Sequence, residues 1–256
     1  PGTFPVGATV RDLIGKFIVP GFVDAHDHVA DIRRDVLDLA PWGPAANLAY
    51  GVTTAFDPST LSIDMLAYQD LIDSGAVLGS RILSTGPAIF SFNDFRSPHE
   101  VEAVLRRYRD RYRLSNVKQY RTGNRRVRQW LAQGAAQLGL TATAEGGLAA
   151  RLDLTQLIDG YSGNEHAIPP PRLHDDVIQL LARSGTSYAL TLQISHGGWP
   201  AQDWFIARDS PHKDPKYARF APPSFREQKF LERPWHDFGE YLFPEIAASA
   251  ARAGSS

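Results

Sequence analysis

The sequence predicts an α/β chain built as a (β/α)8 TIM-type barrel, truncated before its eighth strand and preceded by the remnant of a small β-domain. Three observations predict it. Short apolar runs rich in β-branched and aromatic residues alternate with helical stretches, and their starts fall roughly 22 to 35 residues apart, the repeat of successive βα units. The chain has 256 residues, close to the about 250 that such a barrel takes. Seven strand candidates can be counted, and the last helix would lead into an eighth that the chain does not contain.

The first strand candidate is FIVPGFVDA (17–25), which ends at two histidines. VTTAF (52–56) follows a glycine and leads into a helical pattern from Ser59 to Ser74. RILSTGPAI (81–89) is the third, followed by a helix over 97–114. That helix opens with Ser97 as N-cap, Pro98 at the first helical position and Glu100 shortly after, a start signal with a mechanism. NVKQY (116–120) precedes a helix over about 125–138 that Gly139 closes, and LTATAE (140–145) is the fifth strand. A short helix near 152–159, the strand GNEHAI (163–168), a helix over 175–185 and the strand SYALTLQI (187–194) complete the series. Residues 195–243 read as loop, rich in Pro, Trp and charge, and FPEIAASAARAG (243–254) as a terminal helix. Residues 1–16 do not fit a βα unit and read as the edge of a small β-domain, so the expected boundaries are 1–16 and 17–256.

Hydrophobic residues make up 43% of the chain, enough for a sizeable core. Lys plus Arg is 27 against 28 Asp plus Glu, a balance that gives no reason to expect nucleic acid or an anionic membrane as partner. Absence of cysteine excludes disulfides, Fe–S clusters and thiolate zinc sites. No apolar stretch is long enough to predict a membrane-spanning helix. The start at Pro1 and the stop at Ser255-Ser256 both read as cuts from something longer. The compartment, periplasm or cytoplasm of a bacterium, is left open.

His26 and His28 stand two apart on a predicted strand, so both imidazoles point to one side and can reach one ion. They lie at the strand's carboxyl end, where barrel enzymes build their sites. A bare H-x-H also fits two polar residues at a strand exit, and the pair alone does not name a metal.

The longer phrase from Lys16 to His28, KFIVPGFVDAHDH, resembles the first-strand signature of the amidohydrolase superfamily, and Gly51-Val52-Thr53-Thr54 resembles its second strand. The likeness is closer to the imidazolonepropionase- and prolidase-like branch, especially to bacterial members fused to TolB-type β-propellers. Val117–Tyr120, Arg128–Trp130, Thr143–Gly147 and Glu165–Pro169 match that branch's later motifs in order.

The resemblance implies a hydrolase of C–N bonds in small amides, cyclic amides or dipeptide-like compounds, using one or two divalent ions, with Zn first and Mn or Fe as alternatives. It implies His26, His28, Lys118 and His166 as metal ligands, with Lys118 at the position where many members carry a carboxylated lysine. A propeller domain in the same parent chain is the implied partner. At the fifth strand the resemblance expects a histidine, but this chain has Glu145, which reads as a substituted ligand, a general base or a structural acceptor. The eighth-strand aspartate of the superfamily has no counterpart here.

Arg106–Arg113 reads as a solvated helix face, whereas Arg121, Arg125 and Arg126 follow the fourth strand on the site's own side. Arg121 and Arg125, together with His196 after the seventh strand, are candidate substrate contacts, the arginines by bidentate pairing to a carboxylate. Trp199, Trp204 and Phe205 are candidate pocket aromatics or a loop's own core. Two competing readings stand beside the hydrolase. One is a non-catalytic barrel module of a longer protein; the other is a lyase using Lys118 as a Schiff base.

Overall fold

The computed structural model describes residues 5–29, 37–60, 64–147, 149–169, 172–191 and 209–229. The described strands are β1 (Phe22–Asp24), β2 (Val52–Asp57), β3 (Arg81–Ser84), β4 (Ile89–Phe90), β5 (Asn116–Tyr120), β6 (Thr141–Ala144), β7 (Gly163–Asn164) and β8 (Ser187–Tyr188). Between them run α1 (Trp42–Ala49), α2 (Asp64–Asp73), α3 (Pro98–Asp110), α4 (Arg125–Gln137), α5 (Ala150–Ile158) and α6 (Asp175–Ser184).

All pairings are parallel, in the orders β1-β2-β3 and β4-β5-β6-β7-β8. The two sheets meet within the predicted third strand. Its first half pairs with β2 and its second half with β5, and the crossing is made by Thr85-Gly86-Pro87. Pro87 has no N–H to give a ladder, and Gly86 takes a left-handed φ of 67°. The break is held closed by Thr85 N–H donating to Asp57 O at 3.1 Å and by a single bridge between Thr60 and Pro87. Seven predicted strands therefore appear in chain order as one parallel succession. Mixed α/β architecture with parallel sheets is what this establishes; closure into a barrel is not part of it.

Helices α3 and α4 cover the middle of the succession, each for a legible reason. Ser97 Oγ accepts from Glu100 N–H at 3.3 Å, and Asn124 Oδ1 accepts from Val127 N–H at 3.2 Å, so each first turn has one of its orphan donors satisfied. Val101, Leu105 and Tyr108 recur at helical spacing and are buried. They pack with Leu131, Ala132 and Ala135 of α4 and with Val117, Ala142 and Ala144 of the strands. A Cβ on Gly134 would stand 3.0 Å from Leu105 Cδ1, so the glycine permits the close helix approach. Helix α6 stops at Gly185, whose φ is 70°.

Several expectations are displaced. The helix expected from Ser59 is described from Asp64, and the one over 97–114 ends at Asp110. Helix α1 was not among the elements expected from the sequence. The stretch expected as loop over 195–243 holds, among the described residues, a 3₁₀ turn (Pro211–Lys213) and two short helices, α7 (Pro215–Phe220) and α8 (Pro223–Lys229). Each begins on a proline, the residue with φ already set for a first helical turn. Residues 5–21 carry no helix or strand and are exposed. The terminal helix expected over 243–254 lies outside the described residues. Among the described residues no helix is long and apolar enough to cross a membrane.

Candidate functional site

The carboxyl ends of the strands gather seven polar side chains. Backbone pairing continues past each strand end and fixes their placement: Asp27 N–H donates to Phe56 O at 2.9 Å, Glu145 N–H to Gln119 O at 3.1 Å, and Glu165 N–H to Ala144 O at 3.0 Å. His26 and His28 leave β1, Asp57 ends β2, Lys118 lies within β5, Glu145 follows β6, and Glu165 and His166 follow β7. The ring of His26 lies 5.0 Å from that of His28 and 5.0 Å from that of His166. The succession of strands thus curls far enough for the ends of β1 and β7 to touch.

Each imidazole has its Nδ1 engaged by an oxygen. His26 Nδ1 donates to Glu165 Oε2 at 2.8 Å, and His28 Nδ1 lies 3.3 Å from Asp57 Oδ1. His166 Nδ1 bonds Thr191 Oγ1, whose own proton is donated to Glu165 O at 2.8 Å. A carboxylate only accepts, and the Thr191 hydroxyl has spent its proton, so in all three rings the proton belongs on Nδ1. Nε2 is then left as the lone-pair donor, the arrangement in which an outer oxygen orients a metal-binding histidine.

His166 Nε2 faces Glu145 Oε1 at 3.1 Å. Two acceptors cannot bond to each other, so a proton or a cation belongs between them. The other oxygen of Glu145 lies 2.7 Å from Lys118 Nζ, and Lys118 is wholly buried. By formal charge, three carboxylates against one ammonium leave the seven residues with an excess of negative charge that a divalent cation would offset. In chemistry the donor set fits such an ion. In placement, no group of three or more His, Asp or Glu side chains among the described residues stands close enough together to hold one.

Electrostatics set the protonation states. Burial lowers the pKa of His26, outweighing the opposing pull of Glu165, so its ring stays neutral as a ligand must. Burial alone would raise Glu145, but with a proton rather than a cation between it and His166 Nε2, that hydrogen bond and the Lys118 charge overcome burial and bring its pKa down to about 2. Glu165 is likewise pushed up by burial and brought below the usual carboxylate range by hydrogen bonds from His26 and Thr143. Tyr120, whose hydroxyl pairs with Ser59 Oγ at 2.6 Å, is raised by burial.

Of the candidates from sequence, the structure brings together His26, His28, Lys118, Glu145 and His166. It does not bring in Arg125, whose guanidinium donates to both oxygens of Asp159 at 2.9 and 2.7 Å. Arg121 is exposed, in a left-handed conformation with φ 48°. His196, Trp199, Trp204 and Phe205 lie outside the described residues. Sequence reasoning missed Asp57, Glu165 and Thr191, the oxygens that orient the rings. Asp57 had a usable signal, since it directly follows a predicted strand, and Glu165 stands beside His166.

Solved structures that are 16% to 21% identical to the chain share its fold. One is a Xaa-Pro dipeptidase with methionine bound in its active site (TM-score 0.57, 16% identity, covering 92% of this chain and 63% of that one). Phenylurea hydrolase B (0.55, 21%, 73% and 56%) and molinate hydrolase (0.56, 16%, 82% and 57%) are others. The chain spans from 50% to 63% of the length of the solved structures it resembles. No family model matches the chain, and no curated protein matches it in sequence.

Proposed function

We propose that the chain is the metal-binding part of an amidohydrolase-type enzyme that cleaves a C–N bond in a small amide, cyclic amide or dipeptide-like substrate. The observation that carries this reading is the set of three imidazoles whose Nδ1 atoms are all held by oxygens, beside an unmatched excess of carboxylates. A dipeptidase and a phenylurea hydrolase among the structures that share the fold support a C–N bond as the target.

His26, His28 and His166 would hold a divalent cation, which lowers the pKa of a bound water to near neutrality and polarises a carbonyl. Asp57, Glu165 and Thr191 keep the three rings in the ligating tautomer. Glu145 is ionised, the form that can take a proton from the attacking water. Hydrolysis balances when the water oxygen joins the carbonyl carbon, the C–N bond breaks, and the departing nitrogen takes the proton that Glu145 accepted. Lys118 stabilises the ionised Glu145 from 2.7 Å. Conversion of Lys118 to a carbamate would require its neutral amine to add CO2 and release a proton, exchanging its positive charge for a negative one. Its pairing with Glu145 supports the ammonium, and so a single ion.

The test is metal content. Protein purified without chelator is expected to hold about one equivalent of Zn, Mn or Fe per chain, unchanged by added bicarbonate, and His26→Ala/His28→Ala is expected to lose it. Wild-type protein that retains no divalent metal after incubation with each of these ions and desalting would refute the reading.

A further inference from the structure

Each of the helices α1 to α6 is followed, within three residues of its end, by a residue in the left-handed conformation. After five of them that residue is a glycine: Gly51, Gly75, Gly139, Gly160 and Gly185. After α3 it is Arg113, with φ 55°. Glycine takes this conformation freely, whereas a residue with a Cβ is strained in it. The turn holds Arg113 there, because it is closed on both sides. Tyr112 N–H donates to Arg107 O at 3.1 Å, and Leu114 N–H donates to Tyr108 O at 3.1 Å. Backbone strain of this kind clusters at ligand clamps and other functional sites.

Arg113 lines a cleft. Residues 111–114 form one wall of a cavity of about 470 Å³, and Leu66, Gln69, Asp70 and Asp73 of α2 form the other. Those four recur at helical spacing and so present one face. The volume is that of a site for a small organic molecule. The walls differ in charge, with Arg111 and Arg113 on one and Asp70 and Asp73 on the other. Among the described residues the two walls form no ion pair with each other; Asp73 meets Arg81 instead, at 4.0 Å. Other arginines of the same run are neutralised: Arg106 pairs with Glu102 at 2.6 Å, and Arg109 with Asp110 at 2.6 Å. Leu114, buried, and Leu66, half-buried, add apolar surface to the same cavity.

We propose that this cleft binds a small dipolar molecule, a free α-amino acid with an apolar side chain. The Arg111 and Arg113 guanidiniums take its carboxylate, the Asp70 and Asp73 carboxylates take its ammonium, and Leu66 and Leu114 meet its side chain. A ligand of a single charge sign is attracted by one wall and repelled by the other, which disfavours both phosphate and polyamines. The cleft is separate from the polar cluster. Residues 111–114 lead into the amino end of β5, whereas the cluster gathers at the carboxyl ends of the strands. Binding here therefore neither needs a metal ion nor competes with a substrate held at the cluster.

The test is equilibrium binding of L-leucine, read by NMR titration of the full 256-residue chain. Saturable binding is expected with a Kd on the order of 1 mM, the range open to so small a ligand. Leucinamide lacks the carboxylate and N-acetyl-leucine lacks the ammonium, so each leaves one wall unanswered and should bind about tenfold weaker. Arg113→Gly should weaken leucine binding about tenfold and raise the melting midpoint of the ligand-free protein by roughly 2–4 °C, because glycine relieves the strained turn. Asp70→Asn should weaken leucine binding without that gain in stability. No saturable binding of leucine by about 10 mM, equal affinity for leucine and its two blocked forms, or leucine affinity unchanged in Arg113→Gly each overturns the site. A melting midpoint that does not rise in Arg113→Gly overturns it too, since the arginine then carries no strain for a ligand to offset.

Discussion

Asp153 offers the sharpest test of the energetics, because it is a carboxyl buried without compensation. Its side chain has no exposed surface, and among the described residues neither oxygen makes a regular hydrogen bond. Burial pushes its pKa up to about 7, against the smaller opposing effects of the Gly147 amide and the Arg121 charge. The ordinary value for an unfolded Asp is near 3.9. Between those two values the folded chain holds a proton that the unfolded chain has released, so stability falls as pH rises through this window and levels off above about 7. A rise of about three units at 1.36 kcal/mol each amounts to about 4 kcal/mol at alkaline pH, of which roughly 3 develops between pH 5 and pH 8. Asp153→Asn keeps the shape and removes the titration. Urea unfolding at a series of pH values should show the variant gaining on wild type by roughly 3 kcal/mol from pH 5 to pH 8, or roughly 6–12 °C in melting midpoint for a chain of this size. Parallel pH profiles for the two proteins would show that Asp153 is ionised or solvated in the folded state and would refute the argument.

Other predictions follow from single contacts. Asp57→Asn removes the carboxylate that orients His28 and should weaken divalent-metal affinity about 10- to 100-fold in a chelator competition, with little change in melting temperature. Gly146→Ala places a Cβ 2.6 Å from the Asn164 side chain at a left-handed φ of 63°; it should displace Glu145 and lower metal affinity, whereas Gly139→Ala, in open space at a left-handed φ of 69°, should affect stability alone. Ser97→Ala removes the cap of α3 and should cost about 1 kcal/mol in urea unfolding without altering metal content.

What the sequence made legible was whatever repeats locally. Strand runs such as VTTAF and NVKQY stand out because β-branched and aromatic residues cluster between turn residues, and β2 and β5 are found there. Ser97 and Asn124 announce their helices through short-range hydrogen bonds that depend on three-residue spacing. Helix α1 has no such signal: it lacks a side-chain cap and follows a proline. The third strand was read as one run, because only tertiary pairing shows that its halves serve different neighbours. For the site, His26 and His28 were visible as a spaced pair at a strand end, and Lys118 and His166 through the family resemblance. Their orienting partners were not, since His26 and Glu165 are 139 residues apart and His28 and Asp57 are 29 apart. Such pairs are set by how far the sheet curls, which no local pattern encodes.

Glu145 is where the departure from the expected pattern becomes informative. An imidazole at the fifth strand end would add a neutral ligand but nothing to balance a buried ammonium. Lys118 has no exposed surface, and burying a lone charge costs far more than any single hydrogen bond returns. A carboxylate in the same place supplies the missing countercharge at 2.7 Å and still presents its other oxygen to His166. On the proposed reading, a carboxylate at this strand end and a lysine left uncarboxylated go together. Each makes the other tolerable, and the formal charge that the three carboxylates and one ammonium leave, two negative, is what one divalent ion would neutralise.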